Sequence, residues 1–280
     1  MSFGPNPWQQ LHWDWRAAGN FICGGAGGGL IACAVLSGLN GIALAMALLA
    51  GVVLVGAGLT CVWLEIGRPL RALNVFINPK TSWMTREAFV ATLLIPATLA
   101  AALGLPGLRW LAAMLALAFI YCQGRMLRAA RGIPAWRATL TLPGMVLTGL
   151  VEGAGWLLLL ALLGGFTLPP VTLVVMAALL LARALVWREH RQSLAGQAAP
   201  RALAVLDDAG RGLLWAGTAL PLAALVLAAA TGGTFAPPLL ALAGVAAAGA
   251  GAWFKFTLVT RAAFNQGFAL RHLPVRGVAR

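Results

Sequence analysis

The chain has 280 residues and only seven acids, so each carboxylate matters. Two of them flank one connection. Glu65 ends an apolar run in Trp63-Leu64-Glu65-Ile66-Gly67-Arg68-Pro69-Leu70-Arg71-Ala72-Leu73-Asn74. Glu87 opens the next run in Thr81-Ser82-Trp83-Met84-Thr85-Arg86-Glu87. A carboxylate at the edge of an apolar segment can take up or release a proton. A guanidinium beside it, from Arg68 or Arg86, holds it ionised or polarises a bound oxygen. The competing reading is a structural Glu–Arg pair, with Trp63 and Trp83 as interfacial anchors. Glu87 also suits the first turn of a helix, where an acid faces the positive end of the dipole. A third acid, Glu152, falls in the middle of an apolar run beside Gly153 and Gly155. It is a candidate for a proton path or for a hydrogen bond between helices. Lys255, about two turns from the end of the last apolar run, is expected to snorkel towards water.

These groups need elements to hold them, and the composition says what kind. The chain is 61% hydrophobic and 10% charged, with a mean hydropathy of +0.87. Soluble domains carry roughly a quarter charged residues, so a water-facing surface cannot be covered. Apolar runs of about 18 residues or more recur, each long enough to span a bilayer as a helix. Spans are expected near 19–38, 41–64, 87–105, 108–127, 141–164, 168–187, 212–231 and 238–260. The fold class is all-α: one integral membrane domain over 1–280, a bundle of about eight helices. Residues 1–18 form an interfacial N-terminus and 261–280 a tail. Residues 1–18 are polar and Trp-rich, with no basic stretch before an apolar one, so the first span is expected to direct insertion.

Basic residues gather on alternate connections. The 2–3 connection carries Arg68, Arg71, Lys80 and Arg86, and the 4–5 connection Arg125, Arg128, Arg131 and Arg137. The 6–7 connection carries Arg183, Arg188, Arg191, Arg201 and Arg211, and the tail Arg261, Arg271, Arg276 and Arg280. The opposite connections hold only Arg109. By the positive-inside rule both termini are cytoplasmic. The same rule accounts for the net charge of +13, so nucleic acid is not the expected partner. Membrane lipid is.

The remaining reactive residue types exclude more than they suggest. Cys23, Cys33, Cys61 and Cys122 lie in or at the end of apolar runs, with no C-x-x-C pair, and no metal site is expected. The histidines are His12, His190 and His272, all expected in loops or termini. A haem buried in the bundle needs axial ligands there, so no haem is expected. The run Gly24-Gly25-Ala26-Gly27-Gly28-Gly29 lacks the residues of a phosphate loop. Its small-xxx-small spacing suits close helix contact, or a bare surface for a flat ligand.

The Gly67-Arg68-Pro69-x-Arg71-Ala72 segment, followed by Ser82-Trp83-x-x-x-Glu87, resembles the membrane-anchor subunits of the dimethyl sulfoxide reductase family. Those belong to a broader group with the polysulfide reductase and NrfD-type subunits. The eight spans and the Gly-rich first span agree, so the resemblance covers most of the chain. One departure is plain: Glu65 stands where the family has His. The resemblance implies a quinone-reactive anchor for a complex of anaerobic respiration in a bacterial inner membrane. A ferredoxin-like iron–sulfur subunit and a molybdopterin catalytic subunit would dock on the cytoplasmic face, and they alone would carry clusters and molybdopterin. The anchor would exchange electrons with menaquinone or ubiquinone. Glu87 and Glu65 become the proton-transferring residues, and Asn20, Trp15, Arg68, Trp83, Arg86 and Tyr121 the quinone-binding ones. Asn20 as a helix cap and Tyr121 as an interfacial anchor remain alternatives. The rivals for the whole chain are a small multi-span transporter and a purely structural anchor.

Overall fold

The computed structural model describes residues 4–66 and 69–268, with backbone alone for 69 and 70. Arg68, Arg271, His272, Arg276 and Arg280 lie outside the described residues. The described chain is all-helical apart from one antiparallel bridge between Gln9 and Phe264. Eight helices are long and apolar enough to cross a membrane, as in a multi-pass membrane protein. They are α1 (Trp15–Leu36), α2 (Gly41–Glu65), α3 (Trp83–Ala102), α4 (Leu108–Ala129), α5 (Thr141–Gly164), α6 (Pro170–Ser193), α7 (Pro200–Thr231) and α8 (Gly233–Arg261). The shortest has 20 residues, about 30 Å at 1.5 Å per residue, which matches a hydrocarbon core.

Local chemistry sets where these helices begin. The Asp14 side chain accepts from the Arg16 amide and starts α1 four residues before the apolar run. The Arg16 guanidinium beside it holds the Asp14 carboxyl below its usual range. The Ser82 hydroxyl accepts from the Thr85 amide and starts α3 at Trp83. Glu87 therefore lies in the second turn, and the first-turn role expected for it does not hold. Pro170 and Pro200 open α6 and α7, a position where the missing amide hydrogen costs nothing.

The 6–7 connection is much shorter than expected. Nothing between Arg188 and Ser193 breaks the helix, so α6 runs on, and residues 194–199 alone join it to α7. Gly196, at φ +73°, makes the turn. The basic residues placed in that connection instead ride on helices, and Arg191 pairs with Asp207 across the two at 2.5 Å.

Helix α1 is the centre: 72% of its most apolar window is buried, and it packs on α2, α4 and α5. Glycines permit the approach. A Cβ on Gly153 of α5 would fall on the Gly29 backbone, and one on Gly29 would fall on the Gly149 carbonyl. Helices α5 and α8 cross in the same way at Gly155 and Gly244. Both ends of the described chain meet at one end of the bundle. Gly4 N donates to Gln266 O at 2.6 Å, Gln10 N to Ala263 O at 2.9 Å, and Trp13 stacks on Trp136.

Candidate functional site

Helix α1 is not a regular α-helix throughout. Residues Asn20–Gly24 form a turn of π-helix, which takes backbone carbonyls out of the ordinary ladder. Buried carbonyls need donors, and side chains supply them. Gln123 Nε2 of α4 donates to Asn20 O at 2.9 Å, and Lys255 Nζ of α8 donates to Phe21 O at 2.9 Å. The Asn20 side chain is thereby turned to α3, where its Nδ2 donates to Glu87 Oε1 at 3.2 Å. Asn20, Glu87 and Gln123 are all buried. Gly24 and Gly25 make room for this arrangement. A Cβ on Gly24 would lie 2.5 Å from Gln123 Nε2, and one on Gly25 would strike Lys255 Nζ. The Gly-rich run thus serves polar side chains at its start and helix contact further along.

Glu87 lies on the wall of a cavity of about 440 Å³ between α2, α3 and the 3-10 helix Pro69–Phe76. Leu59, Val62, Leu73, Phe76, Ala88 and Ile95 are among its apolar walls. Trp63 and Leu73 on its rim are exposed. A second cavity, of about 120 Å³, is lined by Asn20, Glu65 and Trp13. The two share Val62, Ile66 and Met84 as walls. Asn20 and Glu87, hydrogen-bonded to each other, therefore face one space each. An apolar slot with a single buried carboxylate suits a flat, neutral ring that gives up or takes a proton.

A second polar centre lies deeper. Glu152 Oε2 and Lys255 Nζ are 2.5 Å apart, and both side chains are 1% exposed. Lys255 does not snorkel: Gly25 leaves a space beside Phe21 O, and the ammonium fills it. Arg183 of α6, expected in a connection, is also buried. It donates to Ala247 O at 3.2 Å and to Gly217 O, which belongs to a second π-turn, Trp215–Ala219. His190, expected in a loop, is buried on α6 beside Trp187. A third π-turn, Thr257–Arg261, has its Leu258 carbonyl capped by Trp136 Nε1 at 2.8 Å and its Thr260 carbonyl by Gln9 Nε2 at 2.7 Å.

The residues expected to bind a ring do not all converge. Asn20, Glu65 and Glu87 do. Trp15 does not: it is 58% exposed and lines neither cavity, and Trp13, two residues earlier, takes the inward place. Trp83, Arg86 and Tyr121 form a separate group with Arg125, outside both cavities. Glu152 belongs to the Lys255 centre and lines a third cavity, between α5 and α8, with Trp156 and Gly244. Among the described residues no three potential metal ligands cluster. Gln123 was not foreseen; its signal is a lone amide in an apolar run, one helical turn past Phe119. No protein-family model matches the chain, and no curated protein matches it.

Proposed function

We propose that this protein is the quinone-reactive membrane anchor of a molybdopterin and iron–sulfur oxidoreductase, with both termini in the cytoplasm of a bacterial cell. The observation that carries the reading is the placing of Glu87. It is a buried acid on the wall of an apolar slot whose rim is exposed, held by Asn20 from a distorted part of the central helix. The sequence resemblance points to the same acid.

In this reading the slot takes the head of a membrane quinone, which supplies the two-electron chemistry. The chain supplies the rest. The apolar walls orient the ring, and Asn20 Nδ2 fixes the Glu87 carboxyl. Glu87 accepts a hydroxyl proton from the reduced ring or returns one to the oxidised ring. Glu65, in the adjoining cavity, exchanges the second proton with water near the bundle end. A ferredoxin-like subunit docked on the basic end of the bundle would exchange the two electrons with the ring through its nearest cluster, and so link the ring to the molybdopterin subunit. The anchor is proposed to be haem-free: although His190 is buried on α6, no second buried histidine among the described residues could complete a bis-histidine haem site. Lys255 and Glu152 hold the central helices in register behind the site, and Glu152 is the first candidate for any longer proton route.

The slot can be filled from within. Ala88 is half-buried and lines it, so Ala88→Phe should occupy the space of the ring. Solvent extracts of the purified complex should hold about one quinone per anchor, lost in Ala88→Phe while the iron–sulfur subunit still co-purifies. Equal quinone in both, or none in the parent protein, would remove the reading and leave a structural anchor.

A further inference from the structure

Trp83, Arg86, Tyr121 and Arg125 line neither the Glu87 nor the Glu65 cavity. Their geometry is nonetheless specific. Arg86 Nε donates to Pro79 O at 2.9 Å and its Nη2 to Lys80 O at 2.8 Å. These two carbonyls clamp the guanidinium over the Trp83 ring, 4.1 Å from its centroid. Arg125 reaches the same ring from α4, at 4.4 Å, and its Nη1 donates to the Tyr121 hydroxyl at 3.1 Å. The Tyr121 ring meets Trp83 edge-on at 5.9 Å. The two guanidiniums are thus no farther apart than those two centroid distances laid end to end.

Among the described residues no acid pairs with them. The ion pairs among the described residues all involve other groups. Glu87, next in sequence to Arg86, is buried and bonded to Asn20. Arg125 Nε and Nη2 and Arg86 Nη1 have no acceptor among the described residues. Arg125 keeps its Nε–Nη2 edge free, which can bind a tetrahedral oxyanion through two parallel hydrogen bonds, and Arg86 keeps Nη1 for a single further bond to the same group. Below them an exposed apolar strip runs along both helices: Phe89 and Leu93 on α3, Leu117 and Met114 on α4. A free phosphate has no use for such a strip, but acyl chains do.

We propose that Arg86 and Arg125, set over Trp83, bind the phosphodiester headgroup of an anionic phospholipid whose chains lie along that strip. A zwitterionic lipid is disfavoured, because its cation would meet two uncompensated positive charges. The site is independent of any quinone chemistry.

Lipid retention by the purified full-length protein, measured by native mass spectrometry, tests this. Phosphatidylglycerol should bind about tenfold more tightly than phosphatidylcholine, the scale of one charge-assisted hydrogen-bonded contact. Arg125→Ala and Arg125→Gln should each remove that preference, and Arg125→Lys should keep part of it. Arg201→Ala, an exposed arginine on α7, should leave it intact. Gln keeps much of the side-chain bulk, and unchanged helical content by circular dichroism shows that a loss is not misfolding. Equal affinity for the two lipids would overturn the proposal. So would a loss with Arg201→Ala as large as with Arg125→Ala. Displacement of phosphatidylglycerol by millimolar inorganic phosphate would overturn the lipid assignment and mark a site for the free ion.

Discussion

Lys255 is the residue whose part in the molecule differs most from its reading in the sequence. A lysine near a helix end is expected to reach for water. Here the bare Gly25 and the freed Phe21 carbonyl offer it a buried place instead, with Glu152 completing the charge balance. Removing one member of a buried pair strands the other, at a cost of about 3–5 kcal/mol. Lys255→Met should therefore lower stability by about that amount, measured as unfolding in mild detergent. Adding Glu152→Leu to it should restore much of the loss. If Lys255→Met is as stable as the parent, the pair does not hold the bundle together. The acids themselves were legible from the sequence, because an acid in an apolar run stands out. Their partners were not. Asn20, Gln123 and Lys255 come from three different helices, and no local spacing links them.

At the scale of elements, the π-turns organise the interior. Each displaces carbonyls that side-chain donors then satisfy: the buried Gln123 and Lys255 at the first, the buried Arg183 at the second, the buried Trp136 and the exposed Gln9 at the third. Helix existence was readable from apolar run length, and six of the eight sequence spans overlap the observed helices closely, while the sixth helix runs on to Ser193, about six residues past its expected end. The seventh helix begins earlier than expected, since the charged residues of 200–211 were read as loop. They sit on an amphipathic extension stabilised by the Arg191–Asp207 pair. The π-turns were not readable, because they arise from contacts between helices. The glycine crossings were readable in kind but not in partner. Gly153→Ala should cost about 1–3 kcal/mol, because its new Cβ meets the Gly29 backbone. Gly56→Ala meets nothing within 4 Å and should be neutral or gain up to about 1 kcal/mol from helix propensity. Thermal unfolding of the two variants side by side checks this; equal losses would mean the crossing is looser than described.

For the whole molecule, the two ends of the described chain meet, and the basic connections gather at the same end. The orientation we propose puts that end in the cytoplasm. Reporter fusions at residues 132 and 197 should then score as internal and those at 165 and 234 as external. The reverse pattern would move the docking face, and with it the partner subunits, to the other side. The central claim rests on one acid in one slot, and Glu87→Gln tests it most directly. Glutamine keeps the size and the contact with Asn20 but cannot exchange a proton. A positioned acid or base is worth roughly 100- to 10,000-fold in rate. Turnover of the purified complex with a quinol analogue should fall by about that factor. Turnover with a soluble dye that meets the catalytic subunit directly should stay at the parent rate. If the quinol rate holds as well, Glu87 is no part of a quinone site, and the account of this cavity fails.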